Sequence, residues 1–368
     1  MSETVIITGA SAGIGKAAAE LFIQKGGTVY NISRSPSPVK GIFNLSADVS
    51  DKKAVENAVK TVFAAEGKID VLINCAGFGI SGSIEHTPDG AAEKLFAVNF
   101  FGAAYAAQCV IPYMRMKNTD LNNALPESVI QPNETTENLS QSDIPSNKTL
   151  SRSDIQPDKS LSLSESTIQP NETAENLSQS EFKTRSNAAG ANGYTASNNT
   201  LSESGIPPNK TLSQSKPNLK TGKNKGGIII NVGSVAGKLP IPFQAYYSAS
   251  KAALFAFSSA LKAEVKPFGI RVASILPGDV KTNFTAKREK SPDEPGYGER
   301  VKKSVEKMER DEQNGLPPRL IAEQIYALCK KNNPPAYAVG GKSYALVVLL
   351  AKILPERLIS FLIEKLYG

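Results

Sequence analysis

The chain opens on a β-branched run, Thr4-Val-Ile-Ile-Thr8, that passes through Gly9-Ala-Ser-Ala-Gly13-Ile14-Gly15 into a helical stretch, 16–25, with apolar Ala18, Leu21 and Phe22. Strand, glycine turn and helix in that order are the start of a parallel α/β unit. Glycines let the backbone approach a pyrophosphate closely, and the helix N-terminus supplies free N–H donors and a partial positive charge. The spacing is Gly-x-x-x-Gly-x-Gly, and a turn alone also calls for glycine. A dinucleotide is the ligand such a unit expects.

The next strand, 28–32, ends in Ser33-Arg34, where a dinucleotide fold reads the adenosine ribose. A carboxylate there would take the 2′-hydroxyl of NAD. None occurs, and Arg34 suits the 2′-phosphate of NADP through forked, charge-assisted hydrogen bonds, so NADP is favoured over NAD. The bland alternative for Arg34 is a solvated surface charge.

Further along, Tyr247 and Lys251 fall at i and i+4 on a helix expected over 244–265, which puts both on one face. A phenol with an ordinary pKa near 10 needs a nearby cation to move protons at neutral pH. Lys251 supplies it, and is expected to lower the pKa of Tyr247. The adjacent Tyr246 pairs at i+4 with Ser250 instead. Ser234, after the strand 227–232, can polarise a carbonyl and stabilise a developing oxyanion. In isolation each is commonplace: a Tyr-x-x-x-Lys is usually a surface helix pair, a serine a turn residue, and an asparagine such as Asn99 a cap or buried amide.

As an ordered series these motifs resemble the short-chain dehydrogenase/reductase family in its compact form. The resemblance rests on Thr8-Gly9-x-x-x-Gly13-Ile14-Gly15, Asp48-Val49, Asn74-Cys75-Ala76-Gly77, Asn99, Ser234, Tyr247 with Lys251, and Pro277-Gly278 followed by Thr282, and it covers nearly the whole chain outside one insertion. It implies a doubly wound Rossmann fold of about seven parallel strands. It implies that Asp48 binds adenine, that Asn74 to Gly77 support the sheet beside the cofactor, that Thr282 meets the nicotinamide carboxamide, and that Asn99 holds a water relaying protons to Lys251. Thr8, Gly9, Ser11, Gly13, Ile14, Gly15, Arg34, Val49, Ala76, Gly77, Pro277, Gly278 and Val280 are the remaining cofactor contacts it implies, with Tyr247 and Lys251 touching both cofactor and substrate. The catalytic set is Asn99, Ser234, Tyr247 and Lys251. Cys75 stands where the family usually has asparagine or another small polar residue, a mild departure. The implied reaction is hydride exchange between nicotinamide and a carbonyl or alcohol carbon with Tyr247 as acid and base, and carbonyl reduction is the favoured direction for NADP.

Composition breaks over 118–225, a Ser/Asn/Thr/Pro-rich stretch that repeats itself: the segment 131–142 returns almost unchanged at 169–180, and 147–151 returns at 209–213. Such sequence cannot bury enough apolar area to offset ordering entropy, so it is expected to be disordered. It interrupts a helix-to-strand link, at the edge of a parallel sheet away from ligands. The flanking parts, 1–117 and 226–340, form the Rossmann domain, and the charge is theirs. The insertion has 10 Lys+Arg against 12 Asp+Glu, so about +9 lies outside it when the whole chain is +7. Much of that falls in the variable lid, with Lys287, Arg288, Lys290, Arg300, Lys302 and Lys303, which would attract an anionic substrate or form a solvated helix face. No aromatic interleaving accompanies these charges, so nucleic acid is not expected.

Cys75, Cys109 and Cys329 lack metal spacing and fit a reducing, cytoplasmic setting; no metal is expected. The single histidine, His86, reads as an exposed loop residue, and no secretory signal precedes the first strand. The extension 341–368 reads as two short amphipathic helices that pack on the core, line a dimer contact or rest on a membrane, with Lys352, Arg357 and Lys365 at the headgroups. A lipophilic acyl or steroid-like ketone is a candidate substrate, and helices 99–116 and 244–265 a candidate homodimer surface. The competing functions are a non-catalytic NADP sensor and an interaction protein working through the repeat.

Overall fold

The computed structural model describes residues 2–115, 226–290 and 295–368. The expected disordered insertion, 118–225, lies outside them. All described residues belong to one compact unit.

The first half holds four strands of the main sheet: β1 (Thr4–Thr8), β2 (Thr28–Ser33), β3 (Phe43–Ser46) and β4 (Val71–Asn74). Between them run α1 (Gly13–Gln24) and α2 (Lys52–Glu66), and after them the short β5 (Ile80–Ser81), α3 (Ala91–Phe96) and α4 (Gly102–Arg115). The second half holds β6 (Ile228–Val232), α5 (Ala245–Glu264), β7 (Arg271–Pro277), the short β8 (Glu289–Lys290), α6 (Glu299–Gln313), α7 (Pro318–Lys330) and β9 (Tyr337–Gly340). Helices α8 (Lys342–Leu350) and α9 (Glu356–Tyr367) close the chain.

The main sheet has seven strands in the order β3-β2-β1-β4-β6-β7-β9, and every pairing in it is parallel. Strand order reverses between β1 and β4. The strands alternate strictly, so each face collects its own residues. Val5, Ile7, Val71, Ile73, Ile228, Ile230 and Ile275 pack with α1 and α7, while Ile6, Ile32, Leu72, Ile229 and Val272 pack with α2, α4 and α5. Burying a side chain such as Phe22 or Ile229 completely stabilises the fold by roughly 2–3 kcal/mol, and apolar residues on both sheet faces explain why these strands are near-continuous Val/Ile runs.

Local signals set the helix ends. Asp51 accepts from the backbone N–H groups of Lys53 at 2.8 Å and Ala54 at 3.2 Å, and Gly67 ends α2 with φ +66°. Helix α1 begins at Gly13, three residues before the stretch 16–25 read from the apolar pattern, because the glycine turn winds directly into it. Residues 97–101 form a π-helical turn that joins α3 to α4 and carries Asn99. The continuous segment Ala91–Arg115 is long and apolar enough to cross a membrane by composition. Here it lies along the sheet with Ala103, Ala106, Ala107, Val110 and Met114 buried in the second core layer.

A buried polar chain crosses the sheet. Asn74 Nδ2 donates to Asn231 Oδ1 at 2.9 Å, Asn231 Nδ2 donates to Ser258 Oγ at 2.8 Å, and Ser258 Oγ donates to the Leu254 carbonyl at 2.6 Å. It ties β4 to β6 and both to α5.

Three details differ from the sequence expectations. Helix α9 is amphipathic but α8 is apolar all round, Tyr344 to Leu350, with Val348 as its buried residue. The two-residue strands β5 and β8 pair with each other beside the main sheet. His86 is half-buried rather than exposed: its Nδ1 lies 2.9 Å from Ser83 Oγ and its ring meets Tyr297 edge-on.

Candidate active site

A cavity of about 710 Å³ opens at the carboxyl ends of β1, β4, β6 and β7, over the point where strand order reverses. In open α/β sheets ligands bind in the crevice outside the carboxyl ends of the strands, where strand order reverses, and the volume is that of a pocket for a cofactor-sized molecule.

One end is built by the glycine turn. Gly9 has φ +75°, and a Cβ there would stand 2.8 Å from the Ala76 Cα, so the loops after β1 and β4 meet only because position 9 is bare. Ser11, Ala12, Gly13 and Ile14 line the cavity. Ala12 precedes α1 and has no side chain to cap it, which leaves the first N–H groups of the helix to a ligand. Thr282, from the loop after β7, lies where a Cβ on Gly13 would stand 3.3 Å from its methyl, and its Oγ1 accepts from the Phe284 N–H at 3.1 Å.

Ser33, Arg34 and Ser35 form the far wall at the end of β2, with Asp48, Val49 and Ser50 opposite. Arg34 Nη1 stands 3.8 Å from Asp48 Oδ2 and is 71% exposed, so its guanidinium has donors to spare. Burial works to raise the Asp48 pKa, but the Ser50 N–H and hydroxyl, helped by Arg34, outweigh it and hold the carboxyl below its ordinary value.

At the other end Ser234, Tyr247 and Lys251 line the same wall, and Tyr246 does not reach it. Lys251 is buried and donates to the Val232 carbonyl at 3.0 Å. Burial pushes its pKa down to about 8, with the Cys75 thiol opposing weakly. Burial also pushes Tyr247 up to about 12; Ser234 and Arg288 pull the other way, while Glu312 and Asp279 add to the rise. Lys251 was expected to lower the tyrosine pKa, and in the protein alone it does not. Its ammonium lies 5.8 Å from the ring centre and is itself starved of solvation, so desolvation dominates both groups.

Four residues read as cofactor or catalytic contacts stand behind the cavity wall rather than in it. Thr8 Oγ1 accepts from the N–H groups of Cys75 and Ala76, tying β1 to β4. Gly15 sits against the Gly9 carbonyl, where a Cβ would come within 2.4 Å. The Asn74 amide nitrogen is spent on Asn231 and the Ala103 carbonyl. Asn99 accepts from Phe78 N–H and donates to the Phe78 carbonyl, both at 3.0 Å, and to Ser250 Oγ at 3.2 Å. Its amide is therefore fully engaged in clamping the loop after β4 onto α5, beside Lys251. The remaining implied contacts, Ala76, Gly77, Pro277, Gly278 and Val280 among them, line the cavity.

Sequence reasoning did not single out the substrate end. Gln244, one turn before Tyr247, is buried there, with its Nε2 2.8 Å from the Met308 sulfur. Phe284 places its ring 5.6 Å from that of Tyr247. Glu312 of α6 is held by Arg288 and by Thr285 Oγ1. Tyr367, the last residue of α9, also reaches the wall. Its hydroxyl donates to Asp311 at 3.3 Å, and burial with Asp279, Asp311 and Glu312 nearby raises its pKa. Only the i−3 spacing of Gln244 could have pointed to any of these. Half of the six basic residues of the lid are paired: Arg288 with Glu312, Lys290 with Glu309 and, at 3.9 Å on an exposed face, Lys302 with Glu299.

The sequence model of the short chain dehydrogenases matches residues 3–120 and 210–293. The chain belongs to the short chain dehydrogenase family. It is an oxidoreductase. The two matched stretches leave residues 121–209 between them, as expected of an insertion in this dehydrogenase. It is similar to the 3-ketodihydrosphingosine reductase of Bacteroides thetaiotaomicron, 25% identical over 371 residues that cover 100% of this chain and 98% of the relative. Its fold is like that of a short chain dehydrogenase/reductase from Burkholderia phymatum in complex with NAD, with a TM-score of 0.58 at 16% identity covering 95% and 92% of the two chains. It is also like that of a short chain dehydrogenase from Burkholderia cenocepacia in complex with NADP, with a TM-score of 0.55 at 16% identity covering 100% and 98%.

Proposed function

We propose that the protein reduces a ketone on a lipophilic chain with NADPH. The observation that carries this reading is the convergence of Ser234, Tyr247 and Lys251 on one wall of a cavity whose other end is the uncapped N-terminus of α1. The residues fit a dinucleotide: bare helix N–H donors for its pyrophosphate, and Ser33, Arg34 and Ser35 for a 2′-phosphate, with no carboxylate at the end of β2. The bound cofactor supplies the hydride.

The protein's own groups do the rest. Tyr247 keeps its proton at neutral pH, because burial holds its pKa near 12, so it is ready to donate to a ketone oxygen as negative charge develops there. Ser234, fixed by accepting from the Ala236 N–H at 3.1 Å, offers its hydroxyl to the same oxygen. Lys251 holds the loop after β6 through Val232 and places a cation, at neutral pH, behind the transferring proton. Asn99 acts from behind the wall, clamping the loop after β4 onto α5 and so backing Lys251. The apolar surface of Phe284, Met308, Ile241 and Val235 receives the chain of the substrate. The full-length similarity to a 3-ketodihydrosphingosine reductase supports a long-chain ketone.

The test is oxidation of NADPH, against NADH, by purified protein with long-chain 3-keto amines, 3-oxoacyl thioesters, steroids and small aldehydes, with Tyr247→Phe as control. Turnover of a long-chain ketone that is lost in the variant is the expected result. Tight NADPH binding with no turnover of any ketone would refute the reading in favour of a sensor.

A further inference from the structure

Nine of the fourteen large apolar side chains exposed among the described residues fall between positions 346 and 366, on α8, α9 and the turn joining them. Such a concentration marks an interaction surface rather than scattered surface leucines. In α9 it is ordered. Ile359, Ile363 and Tyr367 repeat at i, i+4 and i+8 and form the half-buried stripe of a helix that packs against α6. Leu358, Leu362 and Leu366, each one residue earlier, form a second stripe with the same period that touches solvent, and Phe361 widens it at 57% exposure. Docking to α6 thus accounts for one apolar stripe and leaves the other unpartnered. Ile353, in the turn, is 75% exposed on the same extension.

We propose that α8 and α9 dock onto an anionic lipid surface through this face, which sets the substrate end of the cavity at the lipid boundary. Charge chooses the occupant. The extension carries four basic residues, Lys342, Lys352, Arg357 and Lys365, against Glu356 and Glu364, and outside the insertion the chain is about +9. Lys365 falls among the exposed leucines, where its long stem can run along apolar surface while the ammonium reaches the headgroups. Neither helix is long enough to span a bilayer, at 9 and 12 residues, so they lie in the interface. A single residue links this face to the chemistry: Tyr367 closes α9, donates to Asp311 of α6 and lines the cavity. The link to substrate entry rests on the proposed reduction of a lipophilic ketone; the docking itself does not.

The full chain is sedimented with vesicles of phosphatidylcholine and phosphatidylglycerol, beside Leu358→Asp/Leu362→Asp/Leu366→Asp. These positions are exposed and away from the cavity, and thermal melting verifies that the variant folds. Binding by the wild type that weakens in high salt and falls at least fivefold in the variant supports docking. Equal binding by both, or none by the wild type, overturns it. So does a wild-type dimer that the substitutions turn into monomers, because a second copy would then cover the face. Substrate entry is read separately. The variant should reduce a short, water-soluble ketone at the wild-type rate and a vesicle-borne long-chain ketone at least fivefold more slowly; equal loss on both overturns that half. If vesicles bind and no ketone is reduced at all, the reductase reading falls while docking stands.

Discussion

Lys251 costs the protein stability while serving its chemistry. Replacing it by methionine keeps the length of the side chain and removes the charge. The fall from an ordinary lysine value of 10.5 to about 8 means that the native state disfavours the ammonium. At about 1.4 kcal/mol for each tenfold, this is a penalty of roughly 3 kcal/mol. The penalty is full below pH 8, where folded and unfolded lysine are both charged. It shrinks between pH 8 and 10.5, where only the unfolded chain keeps its proton, and is gone above 10.5. Against it stands the hydrogen bond to Val232, whose loss costs about 1 kcal/mol. Lys251→Met should therefore stabilise the cofactor-free protein by about 2 kcal/mol at pH 7 while abolishing turnover. The assay is urea unfolding of both proteins at pH 7 and pH 9.5. Between those values the advantage of the variant should narrow by about 2 kcal/mol, because the wild type gains stability as its lysine releases a proton. A variant less stable than the wild type at pH 7, or a difference that ignores pH, refutes the argument that desolvation governs this site.

Other substitutions separate the parts of the cavity. Tyr247→Phe should lower the turnover number by about 10²–10⁴-fold or more with NADPH affinity within a few-fold of the wild type, measured by fluorescence titration. Arg34→Glu should remove one or two charge-assisted bonds of roughly 1.5–3 kcal/mol, shifting the NADPH-to-NADH ratio of kcat/KM by about 10–100-fold toward NADH; an unchanged ratio would mean that Arg34 is only a solvated charge. Gly9→Ala forces a Cβ at φ +75° and against Ala76, so the melting temperature should drop by several degrees, matching a loss of about 2 kcal/mol or more. Asn99→Leu, which orphans the Phe78 backbone beneath the cavity, should destabilise by roughly 2–4 kcal/mol.

The layered sheet was legible because it is written locally. Val/Ile runs, the Gly9 to Gly15 turn and the Tyr247 to Lys251 spacing each declare an element or a face within a few residues. The residues that meet over the substrate were not. Phe284, Glu312 and Tyr367 come from a lid, from α6 and from the end of α9, and no period or spacing joins them before the chain is folded. Asn99 shows the difference between finding a residue and finding its task. Its place in the motif series was visible, but the π-helical turn that rotates its amide away from the cavity into Phe78 and Ser250 left no mark in composition. The same holds for the pKa of Lys251. Its partner was named from sequence, yet the sign of the effect depended on how completely water is excluded, which is a property of the packed structure.

The buried chain from Asn74 through Asn231 to Ser258 bears on how this protein assembles itself. Strand β6 must find β4 across a sequence separation of 157 residues between the two asparagines, and a ladder of isoleucines would accept several alignments with similar energy. A slip of β6 by one residue would turn Asn231 to the opposite face of the sheet, away from Asn74 and Ser258, at about 1–3 kcal/mol for each group left unmet. The three polar side chains therefore work as a key: they add little to the strength of the pairing, and they decide which of its near-equivalent forms survives. Since α5 is fastened by the same key through Ser258, the helix that carries Tyr247 and Lys251 is aligned in the act of choosing the strand, and the chemistry inherits its precision from an editing step in folding.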